Sequence, residues 1–225
     1  MKIFQIGFNK CGTNSICNLF KFYANKKLNC VHWDEGKIAK TIRHNIVNNT
    51  TNILGEYDKY DVITDMEHSS INEIILIYTE HFIDLDNHYP NSKFILNIRS
   101  IDNWIISRLN HEIFDQHPYL DKYKKVFNLR DTNEVIDYWK NSWYNHIDKV
   151  KRHFHNKPNQ LLVFDIEKDN FTKFADFFLT EKIVFSIDHL PKHNITANKP
   201  KYRGCHNKNT TVQKYISDFK LNNEC

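Results

Sequence analysis

Short apolar runs alternate along the chain with longer stretches in which apolar residues recur every three to four positions. The runs at 3–7, 30–33, 61–64, 93–98 and 160–164 predict strands. Several are apolar without interruption, which predicts burial on both faces, as in a parallel sheet. The 3.6-residue period predicts helices near 13–25, 34–48, 70–88, 101–114, 132–154 and 171–179. Asn91 with Ser92, and Pro158 with Asn159, punctuate the approach to the fourth and fifth strands. Strands and helices taking turns predict an α/β fold, a central parallel sheet flanked by helices. From residue 187 the pattern lapses into a long basic loop with Pro191 and Pro200, then a final helix near 211–219. The expected organisation is one domain over 1–225, with that loop and terminal helix as its last part.

Composition narrows the class. At 225 residues, 40% hydrophobic and 26% charged, the chain is neither disordered nor fibrous. Thirty-one Lys and Arg against 27 Asp and Glu leave a net charge of +4. That favours a small anionic ligand over a nucleic acid, whose binders cluster basic residues more heavily. Of the two dense basic patches, 149–152 reads as a solvated helix face and 199–203 as part of the late loop. The five cysteines are odd in number and lack a CxxC pair, so no disulfide framework is expected and a cytoplasmic location is. No run approaches the ~18 apolar residues of a membrane span, and no targeting segment is expected before the first strand. The thirteen histidines have no zinc-type spacing, so no metal site is expected.

Glycine is scarce. Average usage would give about sixteen, and there are five: Gly7, Gly12, Gly36, Gly55 and Gly204. Two of them frame Gly7-Phe8-Asn9-Lys10-Cys11-Gly12-Thr13, between the first strand and the first helix. An α/β fold presents backbone N–H groups and a helix N-terminus to an anion at that place. The glycine spacing is that of a GxxxxGK[ST] phosphate loop, but Thr13 stands where the lysine would be, and Lys10 lies between the glycines. The segment resembles instead the 5′-phosphosulfate loop of the sulfotransferase family, roughly GxxKxGT[TS].

That resemblance implies a P-loop-like sulfotransferase architecture and 3′-phosphoadenosine 5′-phosphosulfate (PAPS) as sulfuryl donor. It implies that Asn9, Lys10, Cys11, Gly12, Thr13, Asn14 and Ser15 form the donor loop. Lys10 would stabilise charge on the departing phosphate oxygen, and Thr13, Asn14 and Ser15 would bind the 5′-phosphate. Asn14 replaces the second Thr of the family pattern. The fourth strand and its helix carry Arg99 and, eight positions on, Ser107. This is similar to the family's Arg and Ser that bind the 3′-phosphate, and Trp104 falls in an RDPxxWxxS-like stretch in which Ser100-Ile101-Asp102 replaces Asp-Pro. The late loop, with Lys201, Arg203 and Gly204, is similar to the loop that closes over the nucleotide.

Transfer to a hydroxyl or amine calls for a general base. His32, after the second strand, and Asp65, after the third, stand at strand ends where parallel sheets gather their sites. Glu67 and His68 follow, and Asp65 could equally cap a helix beginning near Ser69. The reading is a metal-free, in-line sulfuryl transfer to a small-molecule or glycan acceptor, with no nucleic-acid or membrane partner. A P-loop kinase with Asp65 on Mg²⁺ and a non-catalytic nucleotide-binding module remain as alternatives. Tyr119, Tyr123, Trp139 and Trp143 could stack on an acceptor but read first as core.

Overall fold

The computed structural model describes residues 1–111 and 118–191. Five parallel strands form the central sheet: β1 (Ile3–Gln5), β2 (Cys30–His32), β3 (Val62–Thr64), β6 (Lys93–Ile98) and β7 (Leu161–Asp165), in the spatial order β2-β3-β1-β6-β7. The register sets Ile3 beside both Val62 and Lys93, and Phe94 beside Leu161. Side chains alternate across the pleat. Ile3, Val62, Ile95, Leu162 and Phe164 therefore enter one core, against α1 (Thr13–Tyr23) and α8 (Phe171–Leu179). Phe4, Ile63, Phe94 and Leu96 enter the other, under α2 (Lys37–Val47), α5 (Ile101–Leu109), α6 (Tyr119–Val126) and α7 (Thr132–His153). Burial on both faces explains the uninterrupted apolar runs. Each fully buried Phe, Ile or Leu contributes about 1.5–3 kcal/mol.

The chain leaves β1 toward β2, returns through β3, then crosses to β6 and β7. Strand order reverses at β1, and such reversals open a crevice at the carboxyl ends of the strands.

The expected helix over 70–88 is corrected. A short antiparallel hairpin, β4 (Glu67–Ser69) with β5 (Ile74–Leu76), leads into α3 (Ile77–Glu80) and α4 (Phe82–His88). Ile74, Ile75, Leu76 and Ile77 are all buried, and consecutive burial of a largely β-branched run suits a strand better than one face of a helix. Asp65 caps no helix; it ends β3 with a left-handed φ of 56°. The helix expected from 34 begins at Lys37, behind a tight turn, and the one expected over 101–114 ends at Leu109. Helix α6 was not among the expected elements. The late loop beyond Pro191 and the helix near 211–219 lie outside the described residues. Lys149, Lys151 and Arg152 are exposed while Val150 is buried, as a solvated helix face requires. Tyr119, Tyr123, Trp139 and Trp143 are core. Among the described residues no helix is long and apolar enough to cross a membrane.

Candidate active site

The loop after β1 is held from behind by buried polar side chains. A Cβ on Gly7 would lie 2.2 Å from the Asn97 backbone oxygen, so β1 can approach β6 this closely only without a side chain there. Asn97 accepts from Gln5 Nε2 at 2.6 Å and donates through Nδ2 to the Cys11 carbonyl at 2.6 Å. Gln5 Nε2 also reaches the Gly7 carbonyl, and Gln5 Oε1 accepts from the Asp65 N–H at 2.9 Å. One buried amide pair thus fixes both the loop and the end of β3. Trp104 Nε1 donates to the Asn9 carbonyl at 3.0 Å. With the Asn9 and Cys11 carbonyls drawn inward, the planar trans peptide turns the N–H of Lys10 and Gly12 the opposite way. Lys10 and Gly12 both line the cavity at this end of the sheet.

Helix α1 starts at Gly12, with φ 80° and ψ 23° and no side-chain cap. Its first intrahelical bond is Ile16 N–H to Gly12 O at 3.0 Å. The N–H groups of Thr13, Asn14 and Ser15 therefore have no acceptor within the helix, and all three residues line the cavity. Such a terminus attracts an anion through its amides and its dipole. Lys10, itself left-handed at φ 63°, brings Nζ to 3.5 Å from His111 Nδ1 at the cavity wall.

Arg99 leaves the end of β6, and Ser107 lies two turns along α5; both line the same cavity. Arg99 donates through Nε (2.9 Å) and Nη2 (2.6 Å) to Glu167 Oε1, and through Nη1 to the Lys10 carbonyl at 3.2 Å. Glu167 also accepts from the Ser100 and Asn103 nitrogens. Burial would raise the Glu167 carboxyl, but Ser100 N–H, Arg99 and Asn103 together hold it below its usual range. The guanidinium plane is thereby fixed beside the loop. Ser100, in place of the family Asp, caps α5 by accepting from the Asn103 N–H.

In the same cavity, His32 Nε2 stands 3.7 Å from Asp65 Oδ2, and His32 Nδ1 is 3.0 Å from Thr64 Oγ1. The Thr64 hydroxyl donates to the Val31 carbonyl. The neutral ring then donates from Nδ1 to Thr64 Oγ1, which leaves Nε2 with its lone pair. Burial lowers the His32 pKa, against the opposing pull of Asp65. Burial raises the Asp65 carboxyl, against His32, the Thr13 hydroxyl at 3.4 Å and Lys10. Both members are thus pushed toward their neutral forms. Glu67 also lines the cavity but is buried, accepting from Asn9 Nδ2 and Tyr78 Oη. His68 packs its ring against Gly36.

The cavity is about 820 Å³ and runs along the carboxyl edge of the sheet. It brings together Asn9, Lys10, Gly12, Thr13, Asn14, Ser15, His32, Asp65, Arg99 and Ser107, residues spread over nearly a hundred positions of sequence. Cys11 is fully buried behind the loop and does not line it. Lys201, Arg203 and Gly204 lie outside the described residues. Sequence reasoning passed over Gln5, Asn97, Trp33, His111 and Glu167. Gln5 and Asn97 had left a signal, as amides inside apolar strands; a buried amide must find partners. Glu167 had left none, because its contact with Arg99 spans 68 positions.

An α/β sheet with a crevice at its strand-order reversal, lined by uncapped helix amides with a His–Asp pair beside them, has the geometry to hold an anion next to a proton acceptor. A family model described as Sulfotransferase domain matches residues 2–184. The chain belongs to the sulfotransferase family, and its fold is that α/β fold. No curated protein matches the chain.

Proposed function

We propose that this sulfotransferase takes its sulfuryl group from PAPS and passes it to a hydroxyl or amine by direct in-line displacement. The observation that carries the reading is the uncapped start of α1 beside Lys10, opening onto a cavity in which Asp65 meets the Thr13 hydroxyl at 3.4 Å and His32 stands 3.7 Å from Asp65. The amides of Thr13, Asn14 and Ser15 receive the donor's 5′-phosphate, and Arg99 with Ser107 receives its 3′-phosphate. Lys10 stabilises the charge that gathers on the phosphate oxygen as the S–O bond breaks. His32 Nε2 accepts the acceptor proton while the new S–O bond forms, and the Nδ1–H bond to Thr64 Oγ1 holds the ring in the tautomer this needs.

The sulfuryl group carries less negative charge than a phosphoryl group, which suits a site built from one lysine and backbone amides. A P-loop kinase would use Asp65 on a metal ion. Its phosphate loop would also need Lys and then Ser or Thr after the second glycine, where Thr13 and Asn14 stand here. Incubation with ³⁵S-labelled PAPS and a broad acceptor panel, in parallel with γ-³²P-ATP and Mg²⁺, tests the reading. It predicts label in acceptor from the first reagent alone. Label from ATP alone would establish the kinase, and tight nucleotide binding with no transfer from either would establish the binding module.

A further inference from the structure

We propose that Trp33 is the acceptor platform, and that the acceptor is a carbohydrate ring which stacks on its indole and presents a hydroxyl to His32. This rests on the reading of the cavity as a sulfuryl-transfer site and names its substrate class.

The strand order divides the cavity. The phosphosulfate loop follows the central strand β1. Arg99 and Ser107, with Phe164 and Phe171, lie on the β6–β7 side; His32, Trp33, Asp65 and Ser69 lie on the β2–β3 side. Each side extends two strand spacings from β1, roughly 10 Å, enough for a nucleoside on one side and a single ring on the other.

The turn that displays Trp33 is strained. Trp33, Asp34 and Glu35 have φ of 60°, 45° and 55°, three consecutive non-glycine residues in the left-handed half of the map. Trp33 has ψ −53°, close to the rare γ-turn conformation. Bulky side chains are costly there, and such strain persists only where surrounding contacts enforce it. The contacts are present. Trp33 N–H extends the ladder to the Thr64 carbonyl at 3.1 Å, and Gly36 N–H returns to the Trp33 carbonyl at 3.0 Å. Tyr57 Oη clamps Asp34 Oδ2 at 2.5 Å. A Cβ on Gly36 would meet His68 Nδ1 at 2.6 Å, so the turn is wedged against β4.

What the strain achieves is an indole held at the cavity beside the proton acceptor and 47% exposed, whereas Trp104, Trp139 and Trp143 are buried. A half-exposed indole in a cavity it shares with His32, Asp65 and Ser69 suits a sugar, whose C–H face is apolar and whose rim hydroxyls need hydrogen bonds. A flat phenol would call for apolar surface on both of its faces. In the transfer, the sugar oxygen bonds to sulfur, the bond from sulfur to the donor phosphate oxygen breaks, and the hydroxyl proton passes to His32 Nε2.

Because the other three tryptophans are buried, acrylamide quenching of intrinsic fluorescence reads Trp33. The probes are lactose, cellobiose and N,N′-diacetylchitobiose, with 3′-phosphoadenosine 5′-phosphate (PAP) bound, and ³⁵S transfer to the same sugars and to 4-nitrophenol is measured alongside. At least one sugar is expected to shield the fluorescence and to accept label. Trp33→Ala should raise its KM about ten-fold, with PAP affinity unchanged, while Trp33→Phe keeps KM near wild type. Transfer to 4-nitrophenol but to no sugar, absence of shielding by every sugar, or a sugar KM indifferent to Trp33→Ala would each overturn the proposal. The shielding readout on the unaltered protein stands even if the alanine variant folds poorly. Failure of PAP to bind at all would instead overturn the underlying donor reading.

Discussion

In the proposed transfer Lys10 and His32 carry opposite halves of the chemistry, and each can be tested alone. Lys10→Ala removes the loop's ammonium, and turnover should fall about 10²–10³-fold with the melting temperature nearly unchanged; a variant that keeps its turnover would contradict the role of Lys10. For His32, burial lowers the pKa, and the base works only when unprotonated. The rate should therefore climb with pH and level off below the ordinary histidine value of ~6.5. The acid limb in kcat/KM for the donor should vanish in His32→Ala, along with about 10²–10⁴-fold of rate. A limb that survives in that variant would move the base to Asp65. Lys10, Arg99 and Ser107 were legible in the sequence because a few positions beside a strand end carry their signal. The polarity of His32 and Asp65 was legible too, but their approach to 3.7 Å was not, because it depends on the parallel pairing of β2 with β3.

Among the elements, β1 and the turn after it were the easiest to read, since scarce glycine leaves few explanations for a pair spaced as Gly7 and Gly12. The structure gives the two glycines different tasks: Gly7 makes room for Asn97, and Gly12 adopts the positive φ that opens α1. Gly7→Ala should destabilise the fold by more than about 3 kcal/mol, because the obstruction is backbone and cannot swing aside. Urea denaturation would show it, and a loss below about 1 kcal/mol would mean that β1 and β6 lie further apart than described. The hairpin β4–β5 was misread as helix because Ile, Leu, Tyr and Phe between 74 and 85 satisfy a helical period while also suiting a short buried strand. Contacts with neighbouring elements decide such a case, as where Glu80 Oε1 accepts from the Leu76 N–H just ahead of α3.

Across the whole molecule, the 22-residue helix α7 closes one face of the sheet, and His146 joins it to the end of β1 by donating from Nε2 to the Ile6 carbonyl at 2.7 Å. Its Nδ1 is buried without a partner, and burial lowers the pKa to about 4. The unfolded chain binds a proton at this residue near pH 6.5, and the folded protein does so only near 4. This contribution to stability is therefore complete above about pH 6.5 and declines as pH falls toward 4, by roughly 3 kcal/mol in all. His146→Gln should flatten the urea midpoint over that window; an unchanged pH dependence would show that other groups set it. The α/β class follows from alternating elements and is visible at long range in the sequence, whereas the strand order, with β1 at the centre, is not. The proposed division of the cavity into a nucleotide side and an acceptor side emerges only once β1 is seen at the centre. The central claim, that this cavity is built for the sulfuryl donor, is tested most directly by calorimetric titration of the purified chain in EDTA with PAP, and separately with Mg-ATP. Metal-free PAP binding with one-to-one stoichiometry, and none of Mg-ATP, is the predicted result; binding of Mg-ATP without PAP would contradict it.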